Sequence, residues 1–214
     1  MRNFAVIGMG RFGESLAKTI YSMGFEVLAV DLNQERIDNI APYVTHAVQA
    51  DGMDEMALKA LGIRNFDVTV IAMGDMQSSI LCTLLCKELG VPYVVAKANN
   101  DAHAKVLYRM GIDKVVFPER DMGVRVAHSL VTGNILDYIE LSPDYGLIET
   151  NAPKDWEGKT LQELNIRARY GISIMAIKND EGIAIAPSSS DVIAAGDVLI
   201  VIGDNDALKR IEKM

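Results

Sequence analysis

Short apolar runs separated by helix-like segments organise the first 120 residues. Runs at 4–7, 27–30, 45–50, 68–73, 93–97 and 114–117 have the length of strands. Segments 14–20, 33–41, 54–61, 78–89 and 101–110 read as helices. Pro42 stops the second helix, and Gly62, Gly90 and Gly111 close the third, fourth and fifth as C-caps. Six strands alternating with helices predict an α/β fold, a doubly wound parallel sheet. Residues 121–141 read as a longer helical stretch with Met122, Val126, Leu130, Ile135, Leu136 and Ile139 along one side and a bend at Gly133-Asn134. This stretch is expected to be a crossover and dimerisation element; the alternative is a last helix packed on its own sheet.

The pattern changes at Ser142-Pro143-Asp144. Beyond it come a strand at 146–151, a short helix at 161–164 capped by Thr160, a hairpin of 172–177 with 183–186, a buried strand at 198–202 and a closing helix at 204–213. The expected division is 1–120, 121–142 and 143–214, the last a small α+β domain. About 70 residues are near the lower limit for independent stability, so a partner subunit is expected.

The first strand, Phe4-Ala5-Val6-Ile7, runs into Gly8-Met9-Gly10-Arg11-Phe12-Gly13, and a helix follows. Strand, G-x-G-x-x-G and helix in that order form a Rossmann-like nucleotide-binding fingerprint. Gly8 permits the tight turn, Gly10 leaves room for a phosphate, and Gly13 lets the helix lie close on the strand. The helix start offers free N–H groups to an anion. The second strand ends at Asp31, followed by Leu32. An acid there is placed to accept hydrogen bonds from ribose hydroxyls. Ligands of doubly wound sheets sit outside the carboxyl ends of the strands. Gly8 to Gly13, Asp31, Asp51, Gly74, Lys97 and Glu119 all fall at such ends.

Charge and composition narrow the function. The net charge is −8 and no Lys/Arg cluster stands out, which argues against nucleic acid as a partner. No apolar run reaches about 18 residues, so no membrane span is expected. The first strand begins at once after Met1-Arg2-Asn3, which leaves no room for a signal peptide. Cys82 and Cys86 lie one helical turn apart and read as buried reduced thiols of a cytoplasmic protein, because a metal site needs more ligands.

Arg11, inside the glycine loop, can fork onto phosphate oxygens, and it suits a terminal phosphate or phosphates shared by two subunits. The alternative is an exposed arginine at a helix start. Glu119 beside phosphates is rationalised by a bound Mg²⁺ or Ca²⁺; the alternative is a solvated helix cap. Lys97 can reach phosphate or pair with a nearby acid. His46 lies in a strand and His128 in the long helix, both read as structural, and His103 lies early in a helix with no evident partner. A nicotinamide dehydrogenase needs a proton donor or acceptor and a substrate pocket. No such constellation emerges, so a nucleotide sensor that does no chemistry fits better than an NAD-dependent oxidoreductase. A sensor of cyclic nucleotides with another partner is a third possibility.

These motifs, together with Leu61-Gly62-Ile63-Arg64-Asn65-Phe66, Val116-Phe117-Pro118-Glu119-Arg120-Asp121-Met122-Gly123 and Asn165-Ile166-Arg167-Ala168-Arg169-Tyr170-Gly171, resemble the cytosolic regulatory subunits of bacterial Ktr/Trk potassium-uptake systems. Those subunits carry an RCK (regulator of potassium conductance) nucleotide-binding domain and a C-terminal RCK subdomain. The resemblance covers essentially the whole chain. It implies a homodimer assembling into an octameric ring at the inner face of the membrane, beneath a potassium-translocating subunit (KtrB/KtrD/TrkH-like). ATP and ADP, or NAD and NADH in some relatives, would favour different ring shapes and so gate potassium flux. It implies that Arg11 contacts the γ-phosphate, often from the neighbouring subunit, that Asp31 holds ribose, that Asp51 lies near adenine, and that Glu119 takes part in binding Mg²⁺ or Ca²⁺ beside ATP. Some relatives also bind cyclic di-AMP in the C-terminal subdomain; Arg169 and Tyr170, with Ile166, Ile174 and Pro187 as apolar lining, are similar to that motif. The alternative for those residues is a packed hairpin with a surface arginine.

Overall fold

A computed structural model of the chain describes residues 2–131 and 135–211. The chain divides into two compact units, Met1–Pro118 and Glu119–Met214.

In the first unit, six parallel strands alternate with helices: β1 (Asn3–Ile7), α1 (Arg11–Ser22), β2 (Glu26–Asp31), α2 (Gln34–Ile40), β3 (His46–Gln49), α3 (Glu55–Ala60), β4 (Val68–Ile71), α4 (Met76–Glu88), β5 (Val94–Lys97), α5 (Asp101–Arg109) and β6 (Lys114–Val116). The strand order is β3-β2-β1-β4-β5-β6. The chain therefore reverses direction across the sheet between β1 and β4, which opens a crevice at their carboxyl ends. Strand residues alternate between two apolar layers. Ala5, Ile7, Leu28, Val30 and Ile71 pack with Cys82, Cys86 and Leu107. Val6, Val27, Ala29 and Val70 pack on the other face with Met9, Ala17, Ile37 and Ile40. The two thiols are free and buried, as expected.

The helix starts explain themselves locally. Asn33 accepts from the Arg36 N–H, Asp75 from the Ser78 N–H and Asn100 from the His103 N–H. Each cap satisfies a donor that the helix itself leaves unpaired. α1 and α4 begin earlier than the apolar pattern suggested, because Gly10 and Asp75 act as caps.

The second unit differs from expectation. α6 (Pro118–Val131) is helical, but Ile135–Ser142 forms strand β7 rather than more helix. It pairs antiparallel with β8 (Tyr145–Asn151), Ser142 facing Tyr145. Ser142-Pro143-Asp144, read as a domain boundary, is thus the turn of a hairpin; Pro and Asp suit the middle of a tight turn. Segment 121–142 falls within the second unit, helical in its first part and strand in its last. The bend at Gly133-Asn134 lies outside the described residues. α7 (Leu161–Leu164), α8 (Ile166–Tyr170), β9 (Ile172–Asn179), β10 (Gly182–Ile185), β11 (Val198–Asp204) and α9 (Asn205–Ile211) complete the unit. Its sheet runs β10-β9-β11-β8-β7. One sheet face, with Ile148, Leu199 and Val201, packs on Trp156, Leu164, Leu208 and Ile211. The Thr160 cap is a full capping box with Glu163.

Ile148 is fully buried in this core. Ile148→Ala should destabilise the second unit by about 2–5 kcal/mol through lost burial and a cavity. Trp156, the single tryptophan of the chain, reports on the same core. Its emission should change at a clearly lower urea concentration in the variant, and an unchanged midpoint would show that this core is not as packed as described.

Candidate functional site

The carboxyl edge of the first sheet holds the candidate nucleotide site. Gly8 follows β1 with φ +100, a conformation that side chains rarely adopt. Its N–H donates to the Val30 carbonyl at 2.7 Å, which anchors the turn to β2. At Gly13 a Cβ would collide with the Gly8 carbonyl oxygen, so only glycine allows α1 to start this close to the turn. Gly10 is different. A Cβ there would meet nothing within 4 Å, and Gly10 caps α1 with no side-chain hydrogen bond. The first N–H groups of α1 are left without a side-chain cap, beside open space.

Asp31 is the charged centre of this edge. It is buried, and its carboxylate accepts from the Met9 N–H at 2.6 Å, the Asn33 N–H at 2.8 Å and Arg36 Nη1 at 3.4 Å. The tip of β2 and the glycine turn are thereby locked together. A carboxylate offers about four lone-pair sites, so it retains capacity for a further donor.

The other expected residues fall into three groups. Arg11 is exposed and carries no hydrogen bond or ion pair among the described residues. Leu32 is exposed, its carbonyl accepting from Gln49 Nε2 at 3.0 Å. Asp51 accepts from the Met53 N–H at 2.8 Å, and Gly74 is exposed after β4. Met9 and Phe12 offer the loop their backbone only, because their side chains pack into the core under α1. Lys97 closes β5 and is already engaged with a neighbour. Glu119 stands in the first turn of α6 and so belongs to the second unit.

Asn99, Asp75 and His103 also stand at this edge, and of these the sequence places only Asp75 at a strand end. Asn99 Nδ2 donates to the Gly74 carbonyl at 2.7 Å, and the Asn99 N–H donates to His103 Nδ1 at 3.3 Å. His103 therefore has a partner, but a backbone one, which a search for side-chain pairs does not find. Burial holds its pKa below the usual 6.5, partly offset by Asp75. His46 is exposed on β3, and the side chain of His128 lies outside the described residues. Asp75 itself is held below the usual carboxylate range by hydrogen bonds from Ser78.

In the second unit, Ile166, Ile174 and Pro187 line a cleft of about 560 Å³ together with Asn165, Arg167 and Ser173. Arg169 and Tyr170 do not line it. The Tyr170 ring lies 5.2 Å from that of Trp156, and Arg169 stacks over Tyr170. The cation at the cleft is Arg167, which the α8 turn rotates away from Arg169. A second cleft of about 660 Å³ lies between α6 and β7, where Arg125 forks onto Asp137 at 3.1 and 2.5 Å. That bidentate pair lowers the Asp137 pKa and raises that of Arg125. Among the described residues no cluster of three or more metal-ligating side chains is present, and no helix is long and apolar enough to cross a membrane.

The strand order, the glycine turn and the buried aspartate together define a Rossmann-type nucleotide-binding unit joined to an antiparallel α+β unit. Residues 4–118 match the TrkA-N domain and residues 147–214 the TrkA-C domain. The chain is 47% identical over 213 residues to Ktr system potassium uptake protein C of Bacillus subtilis (strain 168), covering 99% of this chain and 96% of that protein. It is 45% identical over 212 residues to Ktr system potassium uptake protein A of the same organism, again covering 99% and 96%. The crystal structure of the GsuK RCK domain matches with a TM-score of 0.53 and 25% identity, covering 99% of this chain and 46% of that longer one. The GsuK channel bound to NAD matches in fold, with a TM-score of 0.55 and 24% identity over 100% of this chain and 38% of that one. The chain belongs to the family of TrkA-N and TrkA-C domain proteins that contains the Ktr system potassium uptake proteins.

Asp31→Ala should leave the Met9 N–H without its partner. The loss should be about 1–3 kcal/mol of stability in the first unit, the cost of an unpaired buried donor. Thermal unfolding followed by far-ultraviolet circular dichroism checks this, and an unchanged midpoint would mean that the carboxylate does not lock the turn.

Proposed function

We propose that this chain is a cytoplasmic, nucleotide-sensing regulatory subunit of a potassium-uptake system and not an enzyme. The observation that carries the reading is the pairing of an α1 start that no side chain caps, open above Gly10, with an exposed Arg11 unpaired among the described residues in the same loop. Such a loop suits the phosphates of ATP or ADP, with Arg11 reading the γ-phosphate and Asp31 the ribose. Asp51, Leu32 and Gly74 would border the adenine side and Lys97 the phosphate side. NAD or NADH shares the chemistry of the loop and is the competing ligand. Glu119 would give one carboxylate to Mg²⁺ or Ca²⁺, whose other ligands would come from phosphate oxygens and water.

Gating requires that ATP and ADP favour different states of an assembly. A homodimer is supported by exposed apolar residues on α6 (Met122, Val126 and Leu130) and on β7 (Ile139 and Leu141). Family membership supports an octameric ring of such dimers, peripheral to the membrane through a potassium-translocating partner. Cyclic di-AMP is a second proposed ligand. Its adenine would use Ile166, Ile174 and Pro187, and its phosphates Arg169 beside Tyr170, with Arg167 a further cation at the cleft.

Thermal unfolding with ATP, ADP, NAD, NADH and cyclic di-AMP, each with and without Mg²⁺, tests this reading. ATP and ADP should each stabilise by about 2.7 kcal/mol at 100 times the dissociation constant. Stabilisation by NAD or NADH alone would contradict it and return a redox role.

A further inference from the structure

Asn99 and His103 form a clasp on the nucleotide edge. Asn99, in the turn between β5 and α5, donates from Nδ2 to the Gly74 carbonyl at 2.7 Å and so ties the loops after β5 and β4 together. Its N–H donates to His103 Nδ1 at 3.3 Å, and the His103 N–H donates to Asn100 Oδ1 at 2.9 Å. His103 is fully buried. Because Nδ1 accepts, the ring is neutral with its proton on Nε2. Nε2 is buried without a partner among the described residues.

Protonation would place a donor on Nδ1 against the Asn99 N–H, and a cation in a buried place. α4 and β6 pack against α5. They and the α4 cap carry Asp75, Cys82, Cys86, Lys87, Glu88 and Lys114; on β5 and α5 themselves stand Lys97, Asp101, Lys105, Tyr108 and Arg109. Of these, Asp75 is the group whose charge acts on the ring, and its carboxylate is already occupied by the Ser78 N–H and hydroxyl. The buried cation is therefore poorly compensated, and the ring must leave its place to take the proton.

We propose that Asn99 and His103 are positioning residues of the nucleotide edge: neutral His103 holds the Asn99–Gly74 clasp, and protonation releases it and weakens nucleotide binding. The proposal rests on the nucleotide reading above. The sign follows from the folded state favouring the neutral ring. The clasp is complete at and above the ordinary histidine value of 6.5, and it is released only as pH falls through the ring's own pKa, which burial holds below that value.

The test is calorimetric ADP binding at pH 7.5 and 5.5 for wild type, His103→Asn and Asn99→Ala. Amide hydrogen exchange of residues 74–77 is measured alongside, in the ligand-free protein. Asn at 103 keeps an acceptor near the Nδ1 position and cannot titrate. The ADP phosphate titrates alike in every variant, so differences between profiles report the protein. Wild-type affinity should fall further at pH 5.5 than that of His103→Asn, the two agreeing at pH 7.5. Protection of 74–77 should fall at pH 5.5 in wild type and hold in His103→Asn. Asn99→Ala should bind ADP about fivefold more weakly already at pH 7.5, the worth of one hydrogen bond. Parallel pH profiles in wild type and His103→Asn overturn the proposal. If His103→Asn does not fold, unchanged affinity in the surface variant Asn99→Ala overturns it. Absence of ADP binding by wild type at both pH values overturns the nucleotide reading and the coupling with it, while the exchange measurement separately decides the clasp.

Discussion

The close approach of α1 to the end of β1 is the constraint on which the first unit depends. It exists because Gly13 has no Cβ to strike the Gly8 carbonyl, and because Gly8 takes a positive φ. From that approach follow the exposed helix start and the position of Met9, whose N–H reaches the Asp31 carboxylate. One contact thus joins β1, α1 and β2 at the point where strand order reverses. A larger residue at Gly13 would separate helix from strand, and the anion-facing groups would lose their common origin.

The second unit obeys a different rule. Its sheet is antiparallel, one face covered by short helices and the other half-exposed, as the alternation along β8 and β11 shows. α6 and β7 join through the Arg125–Asp137 fork and leave apolar side chains facing water. The loops at the carboxyl edge of the parallel sheet and the exposed apolar surface of the second unit are the two features on which the proposed regulatory role rests.

Much of the first unit was legible because its signals are local. Short apolar runs, capping residues and the glycine fingerprint each act within a few residues of themselves. Asp31 was legible for the same reason, as an acid directly after an apolar run. The reading of 121–141 as helix holds as far as Val131 and fails from Ile135, because Ile135, Leu136 and Ile139 fit a helical period as well as a strand, and a strand partner at Tyr145–Asn151 decides between them. Which arginine lines the cleft depends on the turn of α8, set by Asn165 and Gly171 in left-handed conformation, and the spacing of Arg167 and Arg169 in the sequence does not show it. His103 and Asn99 were illegible as a pair, since their link runs through a main-chain N–H that carries no residue identity.

In the proposed function the glycine loop binds an adenine nucleotide and Arg11 reads its terminal phosphate. Isothermal calorimetry of ATP and ADP with wild type and Arg11→Ala measures this most directly. Both nucleotides should bind wild type, ADP should bind Arg11→Ala nearly as well, and ATP should bind it about 10–100-fold more weakly, the worth of a charged hydrogen bond. Equal loss for both nucleotides, or no loss for either, would contradict it.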